Sequence, residues 1–573
     1  MSATNFNKIA SNCDVMIHIY KFLNFVDQLR LAQVDEYLRS IFLQYIWPIS
    51  YNKLRVIEFD DDYIISNETD ADRILFRNAT DLKEFLKFYG KNVNDLFTDT
   101  PLQMDFFRNL IKLKCHIQRV TVDDMVQLTN ALPNLEELQV YAYRFETRQR
   151  NACIARGIVA ELLRFLKLKK LKLNIDHFNC KMKFKDFWEI VTKLPLEIME
   201  LNIPIIFDSD DNEFELQQSP LPLMQLEITT IGNDGRFLAM LNSFRNLKVL
   251  TIRLKYHKEM ASALVSLTQL HQLTIYATDF CEVTNLILPP NITRLHLYHC
   301  YGLSLENLQQ FLDEHSYPKL IEFVTIGTYF RVKEFKQLHI SSRIKTLNIE
   351  SFDLSQFHSP FVANSALENL TLHPADDFVF GIPLIKLNSI SNCHNLHTLD
   401  VQGQQLALDT LLNLRNLKKL SLHVILPEQG FYIIRILQEL PLLRELVVQQ
   451  FATSPSPSLQ AVVTSVCSLK IFCLEHSSPL LGFWFDIFTL NPQLELQLQI
   501  DISGTQTLQD LIENEKFPRN LRKIQICGFT VDCNKLRNNF ETVLSTIKYS
   551  IEEYDSDNPS ERKCNIIMSR NKK

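Results

Sequence analysis

One pattern, apolar-x-x-apolar-x-apolar, recurs along nearly the whole chain and constrains the fold more than any other feature. It begins at Leu54/Ile57/Phe59, with clear copies at Ile117/Val120/Val122, Leu135/Leu138/Val140, Leu168/Leu171/Leu173 and Ile198/Leu201/Ile203. The series continues at Leu223/Leu226/Ile228, Leu247/Leu250/Ile252, Leu270/Leu273/Ile275, Ile292/Leu295/Leu297, Ile321/Val324/Ile326 and Ile344/Leu347/Ile349. It closes with Leu367/Leu370/Leu372, Leu396/Leu399/Val401, Leu417/Leu420/Leu422, Leu443/Leu446/Val448, Leu469/Phe472/Leu474 and Ile524/Ile526 after Leu521. Copies near Val93 and Leu96, and from Leu496 to Ile500, are weaker. The last two apolar residues of each copy flank a polar one, the alternation of a short strand with one buried face. Intervening segments carry apolar residues at helical spacing, as at Phe184, Phe187, Trp188, Val191 and Leu194, with Pro195 as the stop. Leu305, Leu308, Phe311 and Leu312 repeat this arrangement, as do Ile433, Ile434, Leu437 and Leu440.

A unit of strand, turn, helix and return cannot bury its own apolar face, so such units must stack. Helical hairpins are the competing architecture. They need two long amphipathic segments per unit and do not generate a period-two Leu-x-Leu alternation. Across roughly residues 54–530 the pattern resembles the leucine-rich-repeat family. The resemblance implies an α/β fold: a solenoid (horseshoe) over residues 51–545 with parallel strands on its concave face. Leu295, Leu297 and Cys300, followed by Leu303 and Leu308, are similar to the cysteine-containing subtype.

Residues 5–50 interrupt the repeat. Val15, Ile17, Ile19, Tyr20, Phe22 and Leu23 read as one helix. Asp27 is placed to cap a second, carrying Leu29, Leu31 and Val34. Tyr37, Leu38, Ile41, Phe42, Tyr45 and Trp47 form a third apolar group, closed by Pro48. Ile19-Tyr20-x-Phe22-Leu23 followed by Asp27-x-Leu29-x-Leu31-Ala32-x-Val34 resembles the middle of the F-box. Ser11 and Asn12 stand where that family usually has Leu-Pro, and Leu38 where it usually has Trp or Phe. In the family of F-box proteins with leucine-rich repeats, the F-box docks on the Skp adaptor of a cullin-based ubiquitin ligase. The repeats capture a protein substrate. The resemblance thus implies adaptor contacts from Val15, Ile17, Ile19, Tyr20, Phe22, Leu23, Leu29, Leu31 and Val34. The alternative reading of the same helices is a plain cap over the first repeat.

Composition narrows the function classes. With 60 Lys and Arg against 66 Asp and Glu, there is no basic excess for a nucleic-acid or anionic-membrane partner. No apolar run is long enough to span a bilayer. The first ten residues lack the continuous apolar stretch of a secretory peptide. The chain is therefore expected to be cytoplasmic, with the nucleus as a further compartment. The 12 Cys are scattered without a CxxC pair and read as buried free thiols. With only 12 Gly, phosphate-binding loops are disfavoured, and no P-loop, zinc-protease, nucleophile-elbow or kinase signature occurs. No catalytic residue, metal or cofactor is expected. Asp60, Asp61 and Asp62, with Ser66 to Asp72, read as a solvated polar loop. Residues 546–573, with charges of both signs, read as a weakly ordered tail.

Side chains next to the buried Leu-x-Leu pair point to the opposite face. There Tyr276, Arg294, His296 and Tyr298 bring together residue types that dominate interfaces, and His373 and His423 continue the ladder. These six are the substrate-binding candidates, while an earlier ladder, Lys170 and Lys172, reads equally as a binding surface or as ordinary solubility charge. The expected role is substrate recognition for a Skp–cullin–F-box ubiquitin ligase. The alternative is a leucine-rich-repeat scaffold or inhibitor with no ubiquitin link.

Overall fold

The structure is a computed structural model. It describes residues 12–59, 62–66, 73–147, 153–175, 180–207, 221–231, 240–253, 258–277, 280, 287–328, 330–331, 340–350, 366–373, 390, 393–402, 411–425, 430–451, 464, 466–473, 491, 495–503, 523–530, 548–555 and 562–569.

Among the described residues the first three helices are α1 (Cys13–Phe22), α2 (Phe25–Ala32) and α3 (Glu36–Ile41). Each has a polar N-cap. Asn12, Asn24 and Asp35 accept hydrogen bonds from the backbone N–H groups of Val15, Asp27 and Leu38. Asn24, and not Asp27, thus caps α2. Pro48 does not close the third helix. A π-helical segment, Phe42–Ile46, leads directly into α4 (Trp47–Ser50), and Pro48 falls in the first turn of α4, where a missing N–H costs little. The module's core is aromatic. Phe25 stacks on Tyr51 at 4.2 Å between centroids, and Trp47 stacks on Tyr51 at 5.1 Å. Trp47 also donates its indole N–H to the Tyr89 carbonyl at 2.9 Å, which ties the helices to the next segment.

The chain divides into two compact units, residues 1–276 with 287–289, and residues 277–286 with 290–573. In the first, β1 (Lys53–Phe59) leads through an antiparallel hairpin, β2 (Asp62–Ser66) and β3 (Arg73–Phe76), to α5 (Ala79–Tyr89). Asp62 and Ser66 are therefore strand ends, whereas residues 60–61 and 67–72 of the expected loop lie outside the described residues. A parallel ladder then runs from β1 through β4 (Asp95–Thr98), β5 (Lys112–Val120), β6 (Glu137–Phe145), β7 (Lys170–Ile175), β9 (Ile198–Ile206), β10 (Gln225–Ile231) and β11 (Val249–Arg253) to β12 (Gln272–Tyr276), with β8 (Met182–Lys183) a short addition beside β9. Helices α6 (Val122–Ala131), α7 (Arg156–Leu162), α8 (Phe184–Lys193) and α9 (Lys258–Ser266) lie between strands in sequence.

In the second unit the parallel ladder comprises β13 (Arg294–Tyr298), β15 (Glu322–Ile326), β17 (Thr346–Glu350), β18 (Asn369–His373), β19 (Thr398–Gln402), β20 (Lys419–Ile425), β21 (Glu445–Phe451), β22 (Ser468–Cys473), β23 (Glu495–Ser503) and β24 (Lys523–Thr530). Short strands β14 (Leu303–Ser304) and β16 (Phe330–Arg331) pair separately. Helices α10 (Leu305–Leu312) and α11 (Gly430–Glu439) fall where the sequence places them. In each unit, parallel strands at the repeat period, buried on one face where their side chains are described and with helices between several of them, give the α/β architecture of a leucine-rich-repeat solenoid.

The register exposes the core and corrects the reading frame of five repeats. Leu54, Leu96, Leu113, Leu138, Leu171, Met199, Leu226, Leu250 and Leu273 align as one buried row of the first unit. The first repeat is thus Tyr51/Leu54/Val56, and Phe59 is 64% exposed. The copy assigned to Ile117/Val120/Val122 is Leu110/Leu113/Cys115 instead. Val122 opens α6, behind a Thr121–Asp124 capping box. Likewise Leu196/Met199/Leu201 replaces Ile198/Leu201/Ile203, and Leu320/Phe323/Thr325 replaces Ile321/Val324/Ile326. Val466/Leu469/Ile471 replaces Leu469/Phe472/Leu474. The weak copies at Leu96 and Leu496 are full members of their ladders.

The segment expected to be a weakly ordered tail contains β25 (Lys548–Asp555) and β26 (Arg562–Ser569). These pair antiparallel with each other, and β26 pairs antiparallel with β24. Among the described cysteines Cys115, Cys153, Cys180, Cys300 and Cys393 are buried, whereas Cys13 is half-buried and Cys467 is exposed. Burial pushes the Cys115 thiol up to about 12. No described helix is long and apolar enough to cross a membrane.

Candidate functional site

The N-terminal helices separate the nine adaptor-binding candidates into inner and outer sets. Tyr20 and Leu29 are buried. The Tyr20 hydroxyl donates to the Leu38 carbonyl at 3.0 Å, and burial, then Asp35 and Tyr89, hold it well above its ordinary value. The Gln28 amide donates to the Tyr20 carbonyl at 2.8 Å, and the Tyr51 hydroxyl donates to Gln28 Oε1 at 3.0 Å. These residues hold the module together and present nothing to a partner. Ile17, Ile19, Leu23 and Leu31 are half-buried. Val15, Phe22 and Val34 face solvent, Phe22 at 79% and Val34 at 70% exposure. Four further exposed side chains were not among the candidates: Val26 on α2, Tyr37 on α3, Tyr45 in the π-helical segment and Ile49 on α4, the last at 73%. Helical phase was the available signal, because the cap at Asn24 fixes which side of α2 turns inward.

On the second unit's strand face, Glu322 joins two of the expected substrate contacts. Its Oε2 forms an ion pair with Arg294 Nε at 3.3 Å, and its Oε1 lies 2.9 Å from His296 Nε2. The His296 and Tyr298 rings meet edge to face at 6.2 Å. The Tyr298 hydroxyl is raised above its ordinary value by burial, then by Glu322 and Glu350. Glu322 was missed because the frame placed at Ile321 turned the wrong side chains outward. His373 Nε2 lies 2.8 Å from Asp400 Oδ1, a cross-strand pair between β18 and β19. His423 occupies a β20 position aligned with Gln402 and Gln449, but its side chain lies outside those described. Tyr276 belongs to the first unit, where the Arg253 guanidinium sits over its ring at 5.8 Å.

The first unit's strand face holds a depression of about 270 Å³ that the sequence did not reveal. Lys172, Asn174, Glu200, Asn202, Glu227, Arg253 and Tyr276 are among its lining residues. Lys172 Nζ and Glu200 Oε2 form an ion pair at 2.5 Å. Glu227 is held above the ordinary glutamate range, first by burial and then by neighbouring Glu200, with Lys172 acting against both. The depression is polar and open to solvent on a sheet face. It can recognise charged side chains of a partner.

No protein-family profile matches the chain, and no curated protein matches it in sequence. Among solved structures, it is similar to a leucine-rich-repeat protein of Leptospira interrogans, at 17% identity over 63% of this chain and 80% of that one, with a TM-score of 0.28. It is also similar to a chain of the Toll–Spätzle complex of Drosophila, at 11% identity over 82% of this chain and 66% of that one, with a TM-score of 0.33. Likeness at these values carries no argument about partners. The architecture rests on the chain's own ladders.

Proposed function

We propose that the chain is a protein-recognition subunit that docks on a Skp-type adaptor through its N-terminal helices and holds a protein substrate on its strand face. The observation that carries this reading is the exposure of Phe22 on α1, Val34 in the turn between α2 and α3, and Ile49 on α4, around a core already filled by Tyr20, Phe25, Phe42 and Trp47. Large apolar side chains left outside a completed core mark interaction surfaces, and aromatic ones supply most of the energy when an interface forms. On this reading the chain does no chemistry. It raises the local concentration of a substrate beside a ubiquitin donor held by the cullin, a gain of proximity alone. A cytoplasmic site of action, extending to the nucleus, accompanies it.

One observation favours a second reading, a scaffold whose helices only cap the solenoid. The Trp47–Tyr89 hydrogen bond and the rings of Trp47, Tyr51, Phe85 and Tyr89 fuse the helices to the first repeat. A pull-down of purified Skp adaptor with the full chain separates the two. The wild-type chain is expected to retain adaptor. The double variant Phe22→Asp/Val34→Asp is expected to lose it with an unchanged circular-dichroism spectrum and Tm, because both positions are on the surface. Failure of the wild-type chain to bind at tens of micromolar would sink the adaptor reading and leave the cap.

A further inference from the structure

We infer that the depression on the first unit's strand face receives a basic side chain, lysine or arginine, from the bound partner protein. The inference deepens, and rests on, the reading of the strand face as a protein-binding surface. Glu200 on β9 and Glu227 on β10 are direct cross-strand partners. Like charges placed directly opposite each other destabilise a sheet. Just beyond them β9 passes from Glu200 to Pro204 while β10 passes only from Glu227 to Thr229. An irregularity of this kind interrupts the ladder and re-aims side chains. The depression of about 270 Å³ lies at that interruption, with Glu200, Asn202, Glu227 and Thr229 on its lining.

The charges on the lining leave one carboxylate unanswered. Lys172 Nζ closes its ion pair on Glu200, and the Gln225 amide donates to Glu200 Oε1 at 3.2 Å. Glu227 accepts no hydrogen bond and forms no ion pair among the described residues. Arg253, the other cation on the lining, is held over the Tyr276 ring, and β11 sets Thr251, not Arg253, opposite Glu227. Lys172 therefore offsets the two carboxylates only in part: burial and Glu200 together still hold Glu227 above the ordinary glutamate range. A second cation brought to Glu227 favours its ionised form and relieves the repulsion across the pair. A partner's lysine or arginine supplies that cation on a long stem able to reach into a depression. An acidic side chain would instead face both carboxylates. A bare divalent ion fits less well, since Lys172 already stands on one carboxylate and no group of three possible ligands gathers among the described residues.

The test uses the full chain and a fluorescein-labelled eight-residue Lys/Ser peptide, followed by anisotropy. A Glu/Ser peptide of equal length and calcium ions serve as competing probes. The basic peptide is expected to bind saturably and to weaken with added salt. Glu227→Gln should weaken it about tenfold, while Glu227→Asp, which keeps the charge, retains most of the affinity. Glu84→Gln, which removes the same charge from an exposed position on α5, should leave it unchanged. Unfolding temperatures no lower than that of the wild-type chain exclude a folding effect. An affinity unmoved by Glu227→Gln overturns the inference, as does an equal loss in Glu84→Gln, which whole-chain charge would explain. Displacement of the peptide by micromolar calcium marks a metal site and overturns it. Binding of the Glu/Ser peptide in its place also overturns it, while leaving the protein-binding reading intact. Absence of binding by every probe overturns it too, and the adaptor pull-down then decides the rest of the proposed function independently.

Discussion

Thr325 and Glu227 are polar residues placed where the strands offer them little. Thr325 sits fully buried in the row that other repeats fill with Leu297, Ile349 or Leu372, and its hydroxyl has no hydrogen-bond partner among the described residues. A buried, unsatisfied hydroxyl costs about 1–3 kcal/mol. Thr325→Val keeps the shape and removes the orphan, so it should stabilise by about 1 kcal/mol. Urea unfolding checks this as a higher midpoint at unchanged slope. Glu227 carries a folded-state pKa above its ordinary value. The folded chain then binds the proton more tightly than the unfolded chain. Stability falls as pH rises from the ordinary glutamate range through the raised value, and it is regained on acidification. Glu227→Gln is expected to raise Tm at pH 7. That advantage should shrink as pH falls toward the ordinary glutamate range, a trend thermal scans at several pH values would measure.

Among the elements, α7 and α8 are clamped by one side chain. Arg156 pairs with both Asp186 and Glu189 of α8, and Asp186 is nearly inaccessible, at 5% side-chain exposure. Arg156→Ala would strand that carboxylate, at a cost of about 2 kcal/mol, discounted because the arginine is itself partly exposed. Chemical denaturation of the single variant measures it, and a cost below a few tenths would refute the clamp. The strands and helices themselves were largely legible, because Leu and Ile at period two and at helical spacing leave few alternatives. Register was less so. In the first repeat Ile57 and Phe59 look like better core residues than Val56, and in β5 Ile117 looks better than Cys115. A strand slipped by one residue exchanges its faces, so each such substitution inverted the reading. Glu322 was hidden by the same slip. In β25 and β26 the alternation Tyr549/Ile551 and Cys564/Ile566/Met568 was masked by dense charge. In the N-terminal helices apolarity was visible but phase was not. Tyr20 and Leu29 were therefore grouped with Phe22 and Val34, which face the opposite way.

For the whole molecule, the proposed function rests on two surfaces: exposed apolar side chains of the N-terminal helical module, and charged strand faces on the repeats. Neither duty follows from the repeat architecture, which hosts many functions. The central claim is that the N-terminal helices dock an adaptor. Hydrogen exchange of the full chain, with and without saturating purified Skp adaptor, tests it most directly. Docking through these helices should slow exchange in α1 and from α3 through α4 and leave the strands of the second unit unchanged. Unaltered exchange in those helices, or protection confined to the strands, would contradict it.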